Sequence, residues 1–198
     1  MQKEKFRGKA NEENEVSYNS NDFSLYITTG TTMNVGTVFL VGKSTILTAA
    51  HCFFDGNKKV SSVTFIPGKN GSSNPYGFDE STKLHIPTKY KEAYAANHED
   101  EKWKYDYALV ELSGTPGAKL GYFALGGYNT QYSIEKLVGE KAIVIGYPTT
   151  KMHRHKSDII GYNSEKYQIY YTTDTTSGQS GAPVFIYTGI GNKEYIKL

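Results

Sequence analysis

From Phe23 onward the apolar residues of this chain fall in short β-branched or alternating runs, each cut off by Gly, Pro, Asn or Ser. Runs this short and closely spaced do not suit the face of a long helix, but they fit strands that turn one side to a core. They predict strands at Ser24–Thr28, Gly36–Val41, Thr45–Ala49, Val60–Ile66, Lys83–Ile86, Ala108–Leu112, Lys141–Tyr147, Tyr167–Thr172 and Ala182–Tyr187. Many short strands with turn residues between them indicate an all-β sandwich or barrel. Helical periodicity is nearly absent; the best stretch, Tyr90–Lys104, carries a charge pattern that reads as a surface excursion. A Gly-rich patch at Ser113–Gly121 predicts a linker between two halves, and the polar residues 1–22 predict a poorly ordered arm.

Composition agrees with a β-rich chain. The 17 tyrosines fit pleated, half-buried surfaces. The single cysteine, Cys52, rules out an intramolecular disulfide. A formal net charge of +2, with lysines scattered among glutamates, does not point to nucleic acid. No stretch has the unbroken apolar length of a membrane-spanning helix.

Three segments carry chemistry. In Thr45-Ile46-Leu47-Thr48-Ala49-Ala50-His51-Cys52 an apolar strand runs into two alanines and a histidine. The small residues permit close backbone packing while the imidazole projects from the strand end, where it can act as a general base if a partner fixes its tautomer. In Tyr105–Leu112, Asp106 opens an otherwise apolar strand, and a carboxylate there needs a hydrogen-bond partner such as an imidazole N–H. In Thr175–Phe185, glycines flank Ser180, permitting a tight turn that exposes its hydroxyl and lets the N–H groups of Gly178 and Ser180 converge as an oxyanion hole. Each segment alone also has an ordinary structural explanation: a core histidine, a turn-forming aspartate, a flexible Ser/Gly loop. Their order, His then Asp then Ser, is that of chymotrypsin-like enzymes and not of subtilisins or α/β-hydrolases. Ala182 also stands where the nucleophile elbow of the latter needs its last glycine.

Leu47–Cys52, Tyr105–Leu112 and Gly178–Val184 resemble the signature blocks of trypsin-like peptidases. The strand Val144-Ile145-Gly146-Tyr147-Pro148 narrows the resemblance to the bacterial glutamyl endopeptidase branch, which includes the exfoliative toxins. It covers most of the chain from Gly36 onward. The resemblance implies two Greek-key β-barrels of the chymotrypsin type: 23–115 with His51 and Asp106, and 116–198 with Ser180. It implies that Ser180 attacks the scissile carbonyl to form an acyl-enzyme, His51 shuttles the proton, Asp106 orients His51, and Gly178 and Ser180 hold the oxyanion.

The chain departs from the family pattern at three places. Gln179 stands where animal enzymes carry the aspartate that pairs with a freed N-terminus during activation, as is usual in the bacterial branch. Cys52 has no cysteine partner and reads as a small buried apolar side chain rather than a thiol nucleophile. No Gly-Ile-His type segment or C-terminal helix follows Val184, so the second barrel is expected to be truncated and to lack one wall of the specificity pocket.

Thr175 occupies the position of the family's pocket threonine, and Thr175-Thr176 beside Asp174 fits the acidic-specific pattern better than a Lys/Arg-selective one. Cleavage after Glu, and less readily after Asp, is the expectation. His153, Arg154 and His155 read as a solvated basic loop, with attraction of an acidic substrate as the alternative; no ligand set for a metal lies near them. The family implies a secreted serine endopeptidase, a monomer acting on protein or peptide substrates, with no cofactor and with neither nucleic acid nor membrane as partner. Met1–Ala10 lacks the apolar segment of a secretory signal, so either the protein is intracellular or the sequence begins after its export signal; the resemblance implies the second. The competing expectation is a truncated, non-catalytic remnant or binding module of the same fold.

Overall fold

The structure, a computed structural model, describes residues 14–15, 23–29, 32–53, 60, 62–123, 125, 134–166, 168–173, 175–190 and 193–197. In chain order the strands are β1 (Asn14–Glu15), β2 (Phe23–Thr29), β3 (Thr32–Leu40), β4 (Thr45–Thr48), β5 (Ser62–Pro67), β6 (Asp79–Ser81) and β7 (Lys83–His85). They continue with β8 (Ala108–Glu111), β9 (Lys141–Gly146), β10 (His153–Asn163), β11 (Gln168–Tyr171), β12 (Val184–Ile190) and β13 (Lys193–Lys197). Three short helices are interspersed among the described residues: α1 (Thr88–Ala95), α2 (Glu99–Lys104) and α3 (Gly117–Leu120).

Among the described residues the strands form two antiparallel sheets. One runs β6-β5-β2-β3-β4-β8-β7; the other runs β1-β10-β9-β12-β13, with β11 paired to β10. The mostly β architecture matches the expected fold class. Of the arm expected over 1–22, only Asn14–Glu15 is described; it pairs with Arg154 and His153 on β10, and the rest lies outside the described residues.

Each sheet has its own core. Val38, Leu40, Ile46, Phe65, Tyr90, Ala108 and Val110 are among the residues packed in the first. Strand β4 contributes to it by strict alternation, with Ile46 and Thr48 inward. The central strand β9 is buried from Ala142 to Gly146 because β10 and β12 flank it on both edges. A chain of rings, Phe39–Phe123–Phe185, links the two halves with centroids 5.7 Å apart at each step.

Two expectations change here. Tyr90–Lys104 is not simply a surface excursion: α1 buries Tyr90 against the first core, and only α2 lies wholly outside it. Ser113–Gly121, expected as a linker, contains α3 and is anchored by the Gly117 N–H donating to the Lys43 carbonyl at 2.9 Å. His153, Arg154 and His155 are strand, not loop; His155 and Ser157 point inward and are buried. Cross-strand pairing with β9 supplies the partners that the polar sequence of β10 does not advertise.

The polar contact between the halves centres on Thr37, which is 1% exposed. Its N–H donates to the Ser180 carbonyl (2.8 Å), and its carbonyl accepts from Thr48 Oγ1 (2.8 Å). Its own hydroxyl donates to the Gly178 carbonyl (2.9 Å) and accepts from the Tyr147 N–H (2.8 Å). Valine keeps the shape of this side chain but leaves two buried backbone groups unpaired. Thr37→Val is therefore expected to lower stability by about 1–3 kcal/mol in urea denaturation, whereas Thr37→Ser retains most of it.

Candidate active site

Register brings the first two candidate residues together. Thr48 at the end of β4 pairs with Ala108 at the start of β8. The chain beyond β4 and the chain before β8 therefore meet at one sheet end. There β4 gives way to a single 3-10 turn, Ala50–Phe53, that turns His51 back toward Asp106. Asp106 accepts from the His51 backbone N–H through Oδ1 (2.7 Å) and faces Nδ1 through Oδ2 (2.6 Å). The carboxylate side chain is 10% exposed and the imidazole 38%. A carboxylate on Nδ1 places the ring proton there and leaves Nε2 as the basic nitrogen.

The third candidate sits on a turn built by glycine. Gly178 (φ +94°) and Gly181 (φ +81°) both adopt backbone angles that side chains resist. A Cβ on Gly178 would collide with the Tyr147 carbonyl, and one on Gly181 with Thr48 Oγ1, the Thr37 carbonyl and the Ala49 N–H. The Ser180 turn is thus pressed against the strand end that leads into His51. Gly36 completes the packing, since a Cβ there would lie 3.3 Å from Cys52 Sγ and 3.4 Å from the Ser180 carbonyl. Gln179 is buried and braces the turn: its Oε1 accepts from the Thr176 N–H (2.7 Å) and its carbonyl from the Ala182 N–H (2.9 Å). The residue noted for lacking a charge thus has a neutral structural role. Thr175 lies exposed at the start of this segment; its neighbour Asp174 is outside the described residues.

The sequence reading missed Trp103. Its indole meets the His51 ring edge-on, with centroids 6.2 Å apart and planes at 69°. The signal available was the chain's one tryptophan, three residues before Asp106. Among the described residues, no group of three or more His, Cys, Asp or Glu side chains is placed to hold a metal.

With this geometry stands a match of residues 36–189 to the trypsin-like peptidase domain. The chain belongs to the trypsin-like peptidase family. It is 36% identical over 155 residues to the glutamyl endopeptidase of Bacillus licheniformis, a match covering 75% of this chain and 44% of that protein. It is 37% identical over 152 residues to a Bacillus subtilis protein named extracellular metalloprotease, covering 75% of this chain and 45% of the relative. The chain thus spans under half the length of the curated relatives it matches. A solved Glu endopeptidase in complex with MPD superposes with a TM-score of 0.64 at 24% identity, covering 82% of this chain and 73% of that one. The protease Anisep from Arthrobacter nicotinovorans gives 0.66 at 21%, covering 89% and 81%. These structures are chymotrypsin-type folds, so the family and fold expected from the motifs hold.

Cys52, next to His51, is chemically quiet. Burial pushes its thiol up to about 12, the Asp106 charge adds to the shift, and a hydrogen bond with Thr48 opposes it. That value leaves about one thiol in ten thousand ionised at pH 8. The native chain is expected to react with iodoacetamide at pH 8 at least about tenfold more slowly than the chain in denaturant, as read by mass spectrometry.

Proposed function

We propose that this chain is a secreted serine endopeptidase that hydrolyses peptide bonds through an acyl-enzyme, with His51, Asp106 and Ser180 as its triad. The observation that carries this reading is the packing of the Ser180 turn against Thr48 and Ala49, at the strand end where Asp106 holds His51. Ser180 Oγ attacks the scissile carbonyl while His51 Nε2 takes its proton. The same nitrogen then returns the proton to the leaving amine, and water repeats the cycle on the ester. Asp106, nearly buried, stabilises the imidazolium that forms between these steps. The Gly178 and Ser180 N–H groups meet the oxyanion, on a turn whose shape the positive φ of Gly178 sets. The chemistry requires no cofactor.

The substrate is a protein or peptide cut after Glu, and less readily after Asp, with Thr175 donating its hydroxyl to the acidic side chain. The exposure of Thr175 at the entrance to the Gly178–Ser180 turn and the likeness to a glutamyl endopeptidase support this. The division into 23–115 and 116–198 as two barrels is part of the same reading, supported by the separate cores of the two sheets.

Matched fluorogenic peptides ending in Glu, Asp, Lys and Phe test it. The expected outcome is cleavage after Glu that is lost in Ser180→Ala and falls by about four orders of magnitude in Asp106→Asn, whose amide imposes the wrong imidazole tautomer. Cleavage mainly after Lys or Phe would remove the acidic specificity and the role of Thr175. No cleavage by a folded chain would leave the non-catalytic remnant as the better description.

A further inference from the structure

Trp103 lies against His51 on a helix that the core does not hold. None of the residues of α2 is buried, and Trp103 itself is 47% exposed. Its local contacts belong to the same excursion: Lys102 Nζ sits 5.3 Å from the Trp103 ring centre and 5.8 Å from that of Tyr94, and pairs with Glu99 at 2.5 Å. These contacts fasten α2 to α1 but not to the second half of the molecule.

A different contact does that. Asp100 lies one helical turn before Trp103 and therefore on the same side of α2. It accepts from Lys166 Nζ at 2.7 Å, across 66 positions of sequence. Lys166 occupies the turn between β10 and β11, where its backbone N–H donates to Asn163 Oδ1 at 3.0 Å. The lysine is thus presented from a fixed hairpin of the second sheet to a loosely held helix of the first. The hydrogen bond from Lys166 holds the Asp100 carboxyl below the ordinary carboxylate range, and the same bond holds Lys166 above the ordinary ammonium range. Lys104, the other cation near Asp100, is engaged with Glu101 at 2.7 Å.

We propose that the Asp100–Lys166 ion pair is a clasp between the two halves that positions Trp103 against His51, fixing one wall of the substrate groove, so that opening it weakens substrate binding without altering the chemistry at Ser180. Asp100 and Lys166 are positioning residues: neither touches the reacting atoms, and both act through α2. Both side chains are substantially exposed, so salt screens the clasp. Its kinetic consequence rests on the proposed peptidase activity; its effect on Trp103 does not.

Because Trp103 is the only tryptophan, its fluorescence reads the clasp directly, with or without turnover. Acrylamide quenching and peptide-cleavage kinetics are measured on the wild-type chain, Asp100→Asn, Lys166→Gln, the conservative Lys166→Arg and the exchanged pair Asp100→Lys/Lys166→Asp. Each neutralising variant is expected to be quenched more steeply and to raise KM about two- to fivefold with kcat nearly unchanged, the range one exposed ion pair supports. Lys166→Arg and the exchanged pair are expected to stay near wild type, and about 0.5 M NaCl to bring the wild type to the level of Lys166→Gln. Unchanged quenching in both neutralising variants overturns the proposal, as does a loss confined to kcat. If the wild type cleaves nothing yet its quenching follows this pattern, the clasp stands and the peptidase reading falls.

Discussion

Four hydrogen bonds through one residue hold the candidate site together. Thr37 uses its N–H, its carbonyl and both capacities of its hydroxyl, and its four partners come from three different parts of the site. Thr48 is at the end of the strand leading to His51, Tyr147 follows β9, and Gly178 and Ser180 are in the glycine turn. The apolar cores of the two sheets are distinct clusters, joined here by the ring chain through Phe123. Burial alone makes each half but does not specify how a turn from one half sits on a strand end of the other. Directional bonds to a buried threonine do, because any other seating leaves backbone groups unpaired in a dry place.

The His51–Asp106 pair shows the same logic on a smaller scale. A carboxylate that accepts from both the backbone N–H and the ring of one histidine fixes where the ring lies and which nitrogen bears its proton. Gln179 braces the neighbouring turn with a neutral amide, so the shape of that turn does not depend on a charge arriving from elsewhere. Cys52 fills space beside these groups as a protonated thiol.

What was legible in the sequence follows from how local each constraint is. Small residues before His51 and glycines around Ser180 are local requirements, legible as places where backbones approach closely, and an aspartate opening an apolar strand is legible as a carboxylate in need of a partner. Most strands were legible for the same reason, since β4 and β9 carry their apolar pattern within a few residues. Strand β10 was not, because its inward positions include His155 and Ser157, and only pairing with β9 makes a strand of it. The burial of Tyr90 depends on a core assembled from distant strands, so charges nearby masked it. Trp103 escaped because an exposed tryptophan in a charged segment has no pattern; its meaning lies in the ring it faces.

The bond from Thr37 to Gly178 joins residues 141 positions apart. A ribosome makes the His51–Asp106 half of this site long before it makes the turn that carries Ser180. Closing so long a loop is entropically costly and waits for a segment made well after His51 and Asp106. A nascent polypeptide therefore holds the His51–Asp106 pair before the turn that packs beside it exists, and the assembled site belongs only to a chain that already extends through Gly181.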